Sequence, residues 1–246
     1  MLQAVADGRV FVERSGDAPP EVIGLHGWQR SRTDLLPALR GFSYACLDLP
    51  GFGHSPEPPT GSGSPQYAEL CAAVLTELTP EPCVLVGHSF GGRVAVCLAA
   101  EHPELVRGLV LTGVPLLRSQ TAGKPALRYR VGRSLHRRGL LSDTRMEALR
   151  QQYGSADYRA ASPVMRTVLV RVVAESYADQ LGRLQCPTTL VWGARDTAAP
   201  LAVAEAALAI TPHAELEVLD ADHDLPLTHP DAIASACRAL LAGAPR

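Results

Sequence analysis

Nearly continuous apolar runs recur along the chain, and each run ends in residues that favour turns. Runs without polar–apolar alternation are typical of parallel strands that are buried on both faces of a sheet. We therefore predict one strand from each run. The runs are EVIGLHG (21–27), FSYACLDLP (42–50), CVLVGHS (83–89), LVRGLVLTG (105–113), TTLVWGARD (188–196) and AELEVLD (214–220).

Longer segments with apolar residues at helical spacing lie between these runs. They are Tyr67–Glu77, Gly91–Glu101, Leu201–Ile210 and Asp231–Leu241. This alternation predicts an α/β fold, in which a mostly parallel central sheet is covered by helices on both faces. The stretch up to Ser15 predicts one or two short strands that run antiparallel to the others.

Residues 116–183 interrupt the alternation, because no segment there has the pattern of a strand and several look helical. We interpret them as a helical insertion into an α/β core formed by residues 1–115 and 184–246. Between Arg118 and Arg183 the chain has 13 basic and 5 acidic residues, which leaves 10 basic and 20 acidic residues elsewhere. The formal net charge of −2 is therefore the near-cancellation of a basic insertion and an acidic core.

Composition narrows the class of protein further. With 46% hydrophobic residues in 246, the chain is not expected to be disordered. No apolar run approaches the roughly 20 residues that cross a bilayer, and the charge balance does not favour nucleic-acid binding. The N-terminus lacks the pattern of a secretory signal. Six cysteines without a CxxC pair predict free, buried thiols in a reduced, cytoplasmic protein, which we expect to be a monomer or homodimer.

The segment Gly87-His88-Ser89-Phe90-Gly91 matches the pattern G-x-S-x-G between a predicted strand and a predicted helix. In that context the serine lies on a very tight turn and presents its hydroxyl at the edge of the sheet. Small residues are needed on both sides of the turn, and the following helix N-terminus favours a developing negative charge. The alternative is a glycine-rich turn without catalysis. A phosphate-binding loop is not expected, since neither of its glycine patterns is present.

Further motifs accompany this turn in a fixed order. The sequence resembles the α/β-hydrolase fold family, in its serine esterase-like branch, over nearly the whole chain. The resemblance implies a catalytic triad in the order serine, acid, histidine. The motifs that carry it are His26-Gly27-Trp28, Asp48-Leu-Pro-Gly-Phe-Gly-His-Ser55, Trp192-Gly-Ala-Arg-Asp196 and Asp222-His223.

His223 is the predicted general base for Ser89, because it follows the last predicted strand and precedes the last predicted helix. His229 is its closest rival, whereas His88 lies within the turn with its side chain expected to point away from Ser89. Asp196 directly follows a predicted strand and is the expected partner of the histidine. The alternatives Asp220 and Asp222 are very near His223 in sequence.

Two backbone N–H groups are expected to form an oxyanion hole. One belongs to Phe90, and the resemblance assigns the other to Trp28. Trp28 could instead serve only in packing, and Gln29 stands where many relatives carry a glycine. Asp48, Gly51 and Gly53 are expected to shape a turn beside the site. No metal or cofactor is implied.

In related enzymes an insertion at the position of residues 116–183 forms a cap over the active site. Its arginines either form a solvated face or bind an anionic substrate. We predict a serine hydrolase that cleaves a small-molecule carboxylic ester through an acyl-enzyme. A thioesterase, a carbon–carbon bond (diketone) hydrolase or a cofactor-free perhydrolase could use the same triad. A non-catalytic ligand receptor is the alternative from another class.

Overall fold

One sheet of eight strands organises the computed structural model, which describes residues 1–117 and 127–243. The sheet has the strand order β1-β2-β4-β3-β5-β6-β7-β8. Strands β3 to β8 pair in parallel, whereas β1 and β2 are antiparallel to their neighbours. The strands are β1 (Leu2–Val5), β2 (Val10–Arg14), β3 (Val22–Leu25), β4 (Tyr44–Asp48), β5 (Cys83–His88), β6 (Val106–Thr112), β7 (Thr188–Gly193) and β8 (Ala214–Leu219).

Helices cover both faces of this sheet, as the strand–helix alternation predicts. Two separate apolar clusters fill the space between the sheet and its helices, one on each face. The helices α2 (Ser64–Leu78), α3 (Phe90–Glu101) and α9 (Leu201–Leu208) pack on one face. The helices α1 (Leu36–Leu39), α10 (Leu225–Thr228) and α11 (Pro230–Ala242) pack on the other. Short 3-10 helices precede α1 and β6, at Arg32–Leu35 and Pro103–Leu105.

The edge strand β8 differs from the prediction of strands buried on both faces. None of its residues is fully buried, and Val218 is 46% exposed. The reason is its place in the sheet, since β8 pairs with β7 on one side and ends the strand order on the other. Its alternating sequence, AELEVL, already fits a half-buried edge better than a buried strand.

Five helices lie between β6 and β7, and the described part of this segment contains no strand. Serines at positions 142, 155 and 162 cap three of the helices by accepting a hydrogen bond from a backbone N–H. Residues 118–126 of the predicted insertion, and 244–246 of the predicted core, lie outside the described residues. The five helices are α4 (Leu127–Arg137), α5 (Asp143–Tyr153), α6 (Ala156–Ala160), α7 (Pro163–Val172) and α8 (Ala178–Gly182).

The α7 helix joins this segment to the loop that follows β4. Thr167 Oγ1 accepts a hydrogen bond of 2.9 Å from the backbone N–H of Gly61, and Arg171 donates one of 2.7 Å to the Gly61 carbonyl.

All six cysteines are buried and unpaired. Within the described ranges, no helix is both long enough and apolar enough to span a membrane.

The backbone of α3 approaches the end of β3 very closely. The N–H of Gly91 donates a 2.9 Å hydrogen bond to the carbonyl of His26. A Cβ atom at Gly91 would lie 2.1 Å from the carbonyl oxygen of Leu25, and one at Gly87 would lie 2.5 Å from Cα of Gly92. These two glycines therefore allow the turn between β5 and α3, as the sequence predicts.

We expect Gly91→Ala to destabilise the protein by about 3 kcal/mol or more, because the methyl group meets backbone atoms that cannot move aside. The measurement is urea unfolding followed by circular dichroism. Gly16→Ala is the matched control, since a Cβ at Gly16 meets nothing within 4 Å. Equal stabilities for the two variants would contradict the close approach of α3 to β3.

Candidate active site

Ser89 lies at the turn where β5 ends and α3 begins. Its backbone has φ 50° and ψ −111°, a conformation that costs about 1–3 kcal/mol for a residue with a side chain. The turn is held by hydrogen bonds on both sides. Ser89 N–H donates to the Thr112 carbonyl (3.0 Å), and the N–H groups of Gly92 and Arg93 donate to the Ser89 carbonyl (3.2 and 3.3 Å). This geometry leaves the Ser89 side chain partly exposed at the sheet edge.

Asp196 and His223 form a hydrogen-bonded pair at the same edge. The distance from His223 Nδ1 to Asp196 Oδ2 is 2.8 Å, and the Asp196 side chain is fully buried. The other carboxylate oxygen accepts hydrogen bonds of 2.8 Å from the N–H groups of Ala198 and Ala199. Because an ionised carboxylate only accepts hydrogen bonds, Nδ1 of His223 carries the proton and Nε2 is left as the basic atom.

The alternative candidates for the histidine and for its acidic partner form other contacts. His229 precedes α11, where its ring nitrogen is hydrogen-bonded to Thr228. Asp220 and Asp222 both pair with Arg195 rather than with a histidine. The structure thus brings Asp196 and His223 together and leaves the alternatives apart from them.

A cavity of about 400 Å³ opens over Ser89 and His223. Residues at or after the ends of β3, β5, β6, β7 and β8 line it, together with residues of α6, α7 and the turn after α7. Most of the wall is apolar, which suits a small organic molecule. The lining residues are Gly27, Trp28, Arg30, His88, Ser89, Phe90, Arg93, Pro115, Asp157, Leu169, Val172, Val173, Ala198, His223 and Asp224.

Trp28 and Phe90 lie beside Ser89 in this cavity. Their backbone N–H groups donate to no other group among the described residues. The Trp28 ring also packs edge-to-face on Phe52 and Phe90, with ring centroids 5.0 and 5.5 Å apart. Gln29 adopts φ 55°, the left-handed conformation that a glycine would adopt more easily, and its side-chain amide donates to the carbonyl of Asp157.

Residues 22–236 match the model of the alpha/beta hydrolase family, which covers most of the chain. The chain belongs to the alpha/beta hydrolase family.

Relatives of this alpha/beta hydrolase include named esterases. It is 41% identical over 116 residues to an esterase of Mycobacterium tuberculosis, an alignment that covers 46% of this chain and only 39% of that protein. It is 33% identical over 216 residues to a pimeloyl-[acyl-carrier protein] methyl ester esterase of Chromobacterium violaceum, covering 78% of this chain and 82% of the relative. A crystal structure of a hydrolase from Pseudomonas aeruginosa has the same fold, with a TM-score of 0.73 and 22% identity over 99% of this chain and 98% of that one.

The sequence assigns no role to Gly113 and predicts that the His88 side chain points away from Ser89, but both residues lie beside the pair of Asp196 and His223. The ring of His88 lies against that of His223 with centroids 4.9 Å apart, and it lines the cavity. Gly113 has φ 58°, and a Cβ there would lie 2.9 Å from His223 Nδ1 and 3.1 Å from Asp196 Oδ2. The only signal for Gly113 was its position at the end of the predicted strand LVRGLVLTG.

Two buried histidines support the loops of this alpha/beta hydrolase in the neutral form. His26 accepts a hydrogen bond from the N–H of Leu49 (3.0 Å) at Nε2 and donates from Nδ1 to the Gly27 carbonyl (2.7 Å). Burial lowers the pKa of His26 to about 4. Burial, reinforced by the adjacent His223, lowers the pKa of His88 to about 3.

Asp48 shapes the neighbouring turn, as the sequence predicts. Its buried carboxylate accepts hydrogen bonds from the backbone N–H groups of Arg32 and His54 and from the Arg32 guanidinium. Burial alone would raise the pKa of Asp48, but these donors together hold it below the usual value. Gly53 (φ 55°) allows this contact, because a Cβ there would lie 2.2 Å from the carboxylate.

The arginines around the cavity come from residues 1–115. Among the described residues, Arg30 and Arg93 line the cavity, and no arginine of residues 116–183 does. Arg150 lines a separate cavity of about 350 Å³. Arg30 pairs with Asp34 (2.6 Å) and Asp224 (2.8 Å).

In the described part of the chain, no three His, Cys, Asp or Glu side chains are arranged to hold a metal ion.

The two buried histidines predict an acid-dependent loss of stability. Their pKa values fall from about 6.5 in the unfolded chain to about 4 and 3 on folding, so protons bind the unfolded state more strongly. The free energy of unfolding therefore has its full value above about pH 6.5 and falls as the pH drops below that value. We expect the free energy of unfolding to fall by about 4 kcal/mol between pH 7 and pH 5.

Urea unfolding at each pH measures this loss. His88→Asn removes one of the two groups and should halve the pH dependence, whereas His213→Asn at an exposed position should leave it unchanged. A free energy of unfolding that stays constant from pH 7 to pH 5 would show that the buried histidines do not titrate in this way.

Proposed function

We propose that this alpha/beta hydrolase is a carboxylesterase-like serine hydrolase with the triad Ser89, Asp196 and His223. The observation that carries this proposal is the 2.8 Å hydrogen bond between Asp196 and His223, which faces the same cavity as the strained Ser89. A carboxylate that fixes the tautomer of a histidine beside a serine is the arrangement that activates a hydroxyl for attack.

The reaction follows from the roles of these groups. Ser89 Oγ attacks the ester carbonyl carbon while Nε2 of His223 takes its proton. The N–H groups of Trp28 and Phe90 stabilise the oxyanion, and the C–O bond breaks as His223 returns the proton to the departing alcohol. A water molecule, deprotonated by His223, then attacks the acyl carbon. The bond from that carbon to Ser89 Oγ breaks, His223 returns the proton to Oγ, and the acid leaves.

Small-molecule carboxylic esters are the proposed substrates. The cavity is of a size that holds a small ligand, and relatives of this chain are named as esterases, one of them acting on a methyl ester. Thioesters and diketones would use the same groups, so a thioesterase or a carbon–carbon bond hydrolase is the alternative within the fold. The presence of all three triad residues disfavours a non-catalytic receptor.

We further propose that residues 116–183 form a cap over this site. This proposal is supported by Leu169 and Val172 of α7, which line the cavity together with Val173 and Ser89. The six buried, unpaired thiols fit a reducing compartment such as the cytoplasm.

The nucleophile is tested by covalent labelling and by kinetics. We expect a fluorophosphonate probe to label the wild-type protein but not Ser89→Ala, and kcat for p-nitrophenyl butyrate to fall about 10⁴- to 10⁶-fold in that variant. Ser176→Ala, at an exposed position, is the control and should behave as wild type. Failure of the wild-type protein to react with the probe and with a panel of p-nitrophenyl esters of increasing acyl length would reject the hydrolase.

The other two triad members have matched controls in the rival residues. We expect Asp196→Asn to lower kcat about 10⁴-fold, because the histidine loses its correct tautomer, and His223→Ala to lower it at least as much. Asp222→Asn and His229→Ala should change kcat less than about threefold, since neither residue contacts the pair. Activity that survives His223→Ala but not His229→Ala would show that the base is assigned wrongly.

A further inference from the structure

Arg93 is a buried arginine in the wall of the catalytic cavity. It lies in the first turn of α3, four residues after Ser89. Arg93 is only 9% exposed, yet it lines the cavity together with Ser89 and His223.

The positive charge of Arg93 has no acidic partner among the described residues. Nη1 donates a hydrogen bond to the carbonyl of Val172, and the guanidinium lies 5.8 Å from the centroid of the Tyr177 ring. Glu175, which accepts a hydrogen bond from the Tyr177 hydroxyl, pairs with Arg171. Residues 118–126 include no Asp or Glu that could serve instead.

A buried charge without a counter-ion is costly, and buried charges in proteins are normally paired. Arginine carries five N–H donors, of which the hydrogen bond to Val172 uses one. A carboxylate that enters the cavity could therefore receive charge-assisted hydrogen bonds from the remaining donors. Arg30 is not available in this way, because Asp34 and Asp224 already neutralise it.

The acidic residues of the cavity wall do not compensate Arg93. Asp224 pairs with Arg30, and Asp157 is an exposed residue of α6. Exposure to solvent lets water screen the charge of Asp157, whereas the charge of Arg93 is largely shielded from water.

We propose that Arg93 binds a carboxylate group of the substrate, so that the enzyme prefers esters with an anionic group remote from the scissile bond. This inference rests on the function proposed above, since it concerns the substrate of the same site. Arg93 and Ser89 line the same cavity of about 400 Å³, so one small molecule can contact both of them. The carboxylate belongs either to the acyl part, as in a dicarboxylic acid half-ester, or to the alcohol part.

The test compares kcat/KM for charged and uncharged esters of equal length. One series pairs the monomethyl esters of glutaric, adipic and pimelic acids with the methyl esters of the uncharged acids of equal chain length. A second series pairs acetate esters of hydroxy acids with acetate esters of the corresponding alcohols. The series in which the wild-type protein favours the charged member shows which part of the substrate carries the carboxylate.

We expect Arg93→Met to lower the ratio of kcat/KM for charged to uncharged esters about 10- to 100-fold, because charge-assisted hydrogen bonds are lost. Arg93→Lys keeps the charge and should retain part of this ratio. Arg133→Met removes an equal charge from an exposed position on α4, so it should leave the ratio unchanged. An unchanged ratio in Arg93→Met, or an equal fall in Arg133→Met, would overturn the proposal.

Inhibition of the wild-type protein provides a second test if Arg93→Met does not fold. Glutarate should inhibit hydrolysis of p-nitrophenyl butyrate competitively, whereas uncharged glutaramide should not, and Arg93→Lys should weaken the inhibition by glutarate. Equal inhibition by both compounds, or by neither, would overturn the proposal. The proposed function itself is tested separately, by fluorophosphonate labelling of Ser89 and by hydrolysis of the uncharged ester.

Discussion

The close contact between the backbones of α3 and β3 is the constraint on which the candidate site depends. The hydrogen bond from Gly91 to the His26 carbonyl is possible only because a glycine occupies position 91. This contact fixes the helix directly behind Ser89 and holds that residue in its strained conformation. It also brings the loop that carries Trp28 beside Phe90, so Ser89 and the backbone N–H groups of Trp28 and Phe90 are positioned by one backbone arrangement.

A balance of charges around the cavity completes this arrangement. Asp196 is the buried carboxylate that pairs with His223, and burial keeps the adjacent His88 neutral, so His88 adds no positive charge beside His223. Arg30 is neutralised by two acids. Arg93 is the exception, because its buried charge has no acidic partner in the described residues. The charge distribution of the site therefore favours the binding of one anion, beside Arg93.

The strands and the turn at Ser89 could be predicted from the sequence, because patterns of neighbouring residues determine them. Apolar runs identified the strands, and the pattern around Ser89 identified the turn, since both depend on neighbours in the chain. Features that depend on distant residues could not be predicted. Gly113 makes room for Asp196 and His223, and His88 packs on His223, only after β5, β6 and the later loops meet at one edge. The sequence left open whether arginines of residues 116–183 bind an anion or form a solvated face, whereas the arginines that line the cavity are Arg30 and Arg93. The sequence shows that Arg93 follows Ser89 by four residues, but not that it is buried without an acidic partner among the described residues.

The most direct test of the proposed mechanism is a crystal structure of the protein after reaction with a fluorophosphonate, whose phosphorus mimics the tetrahedral intermediate. We predict a covalent bond from Ser89 Oγ to phosphorus. We also predict a phosphonyl oxygen within about 3.2 Å of the backbone nitrogens of both Trp28 and Phe90. An adduct on another residue, or a phosphonyl oxygen directed away from these two nitrogens, would contradict it.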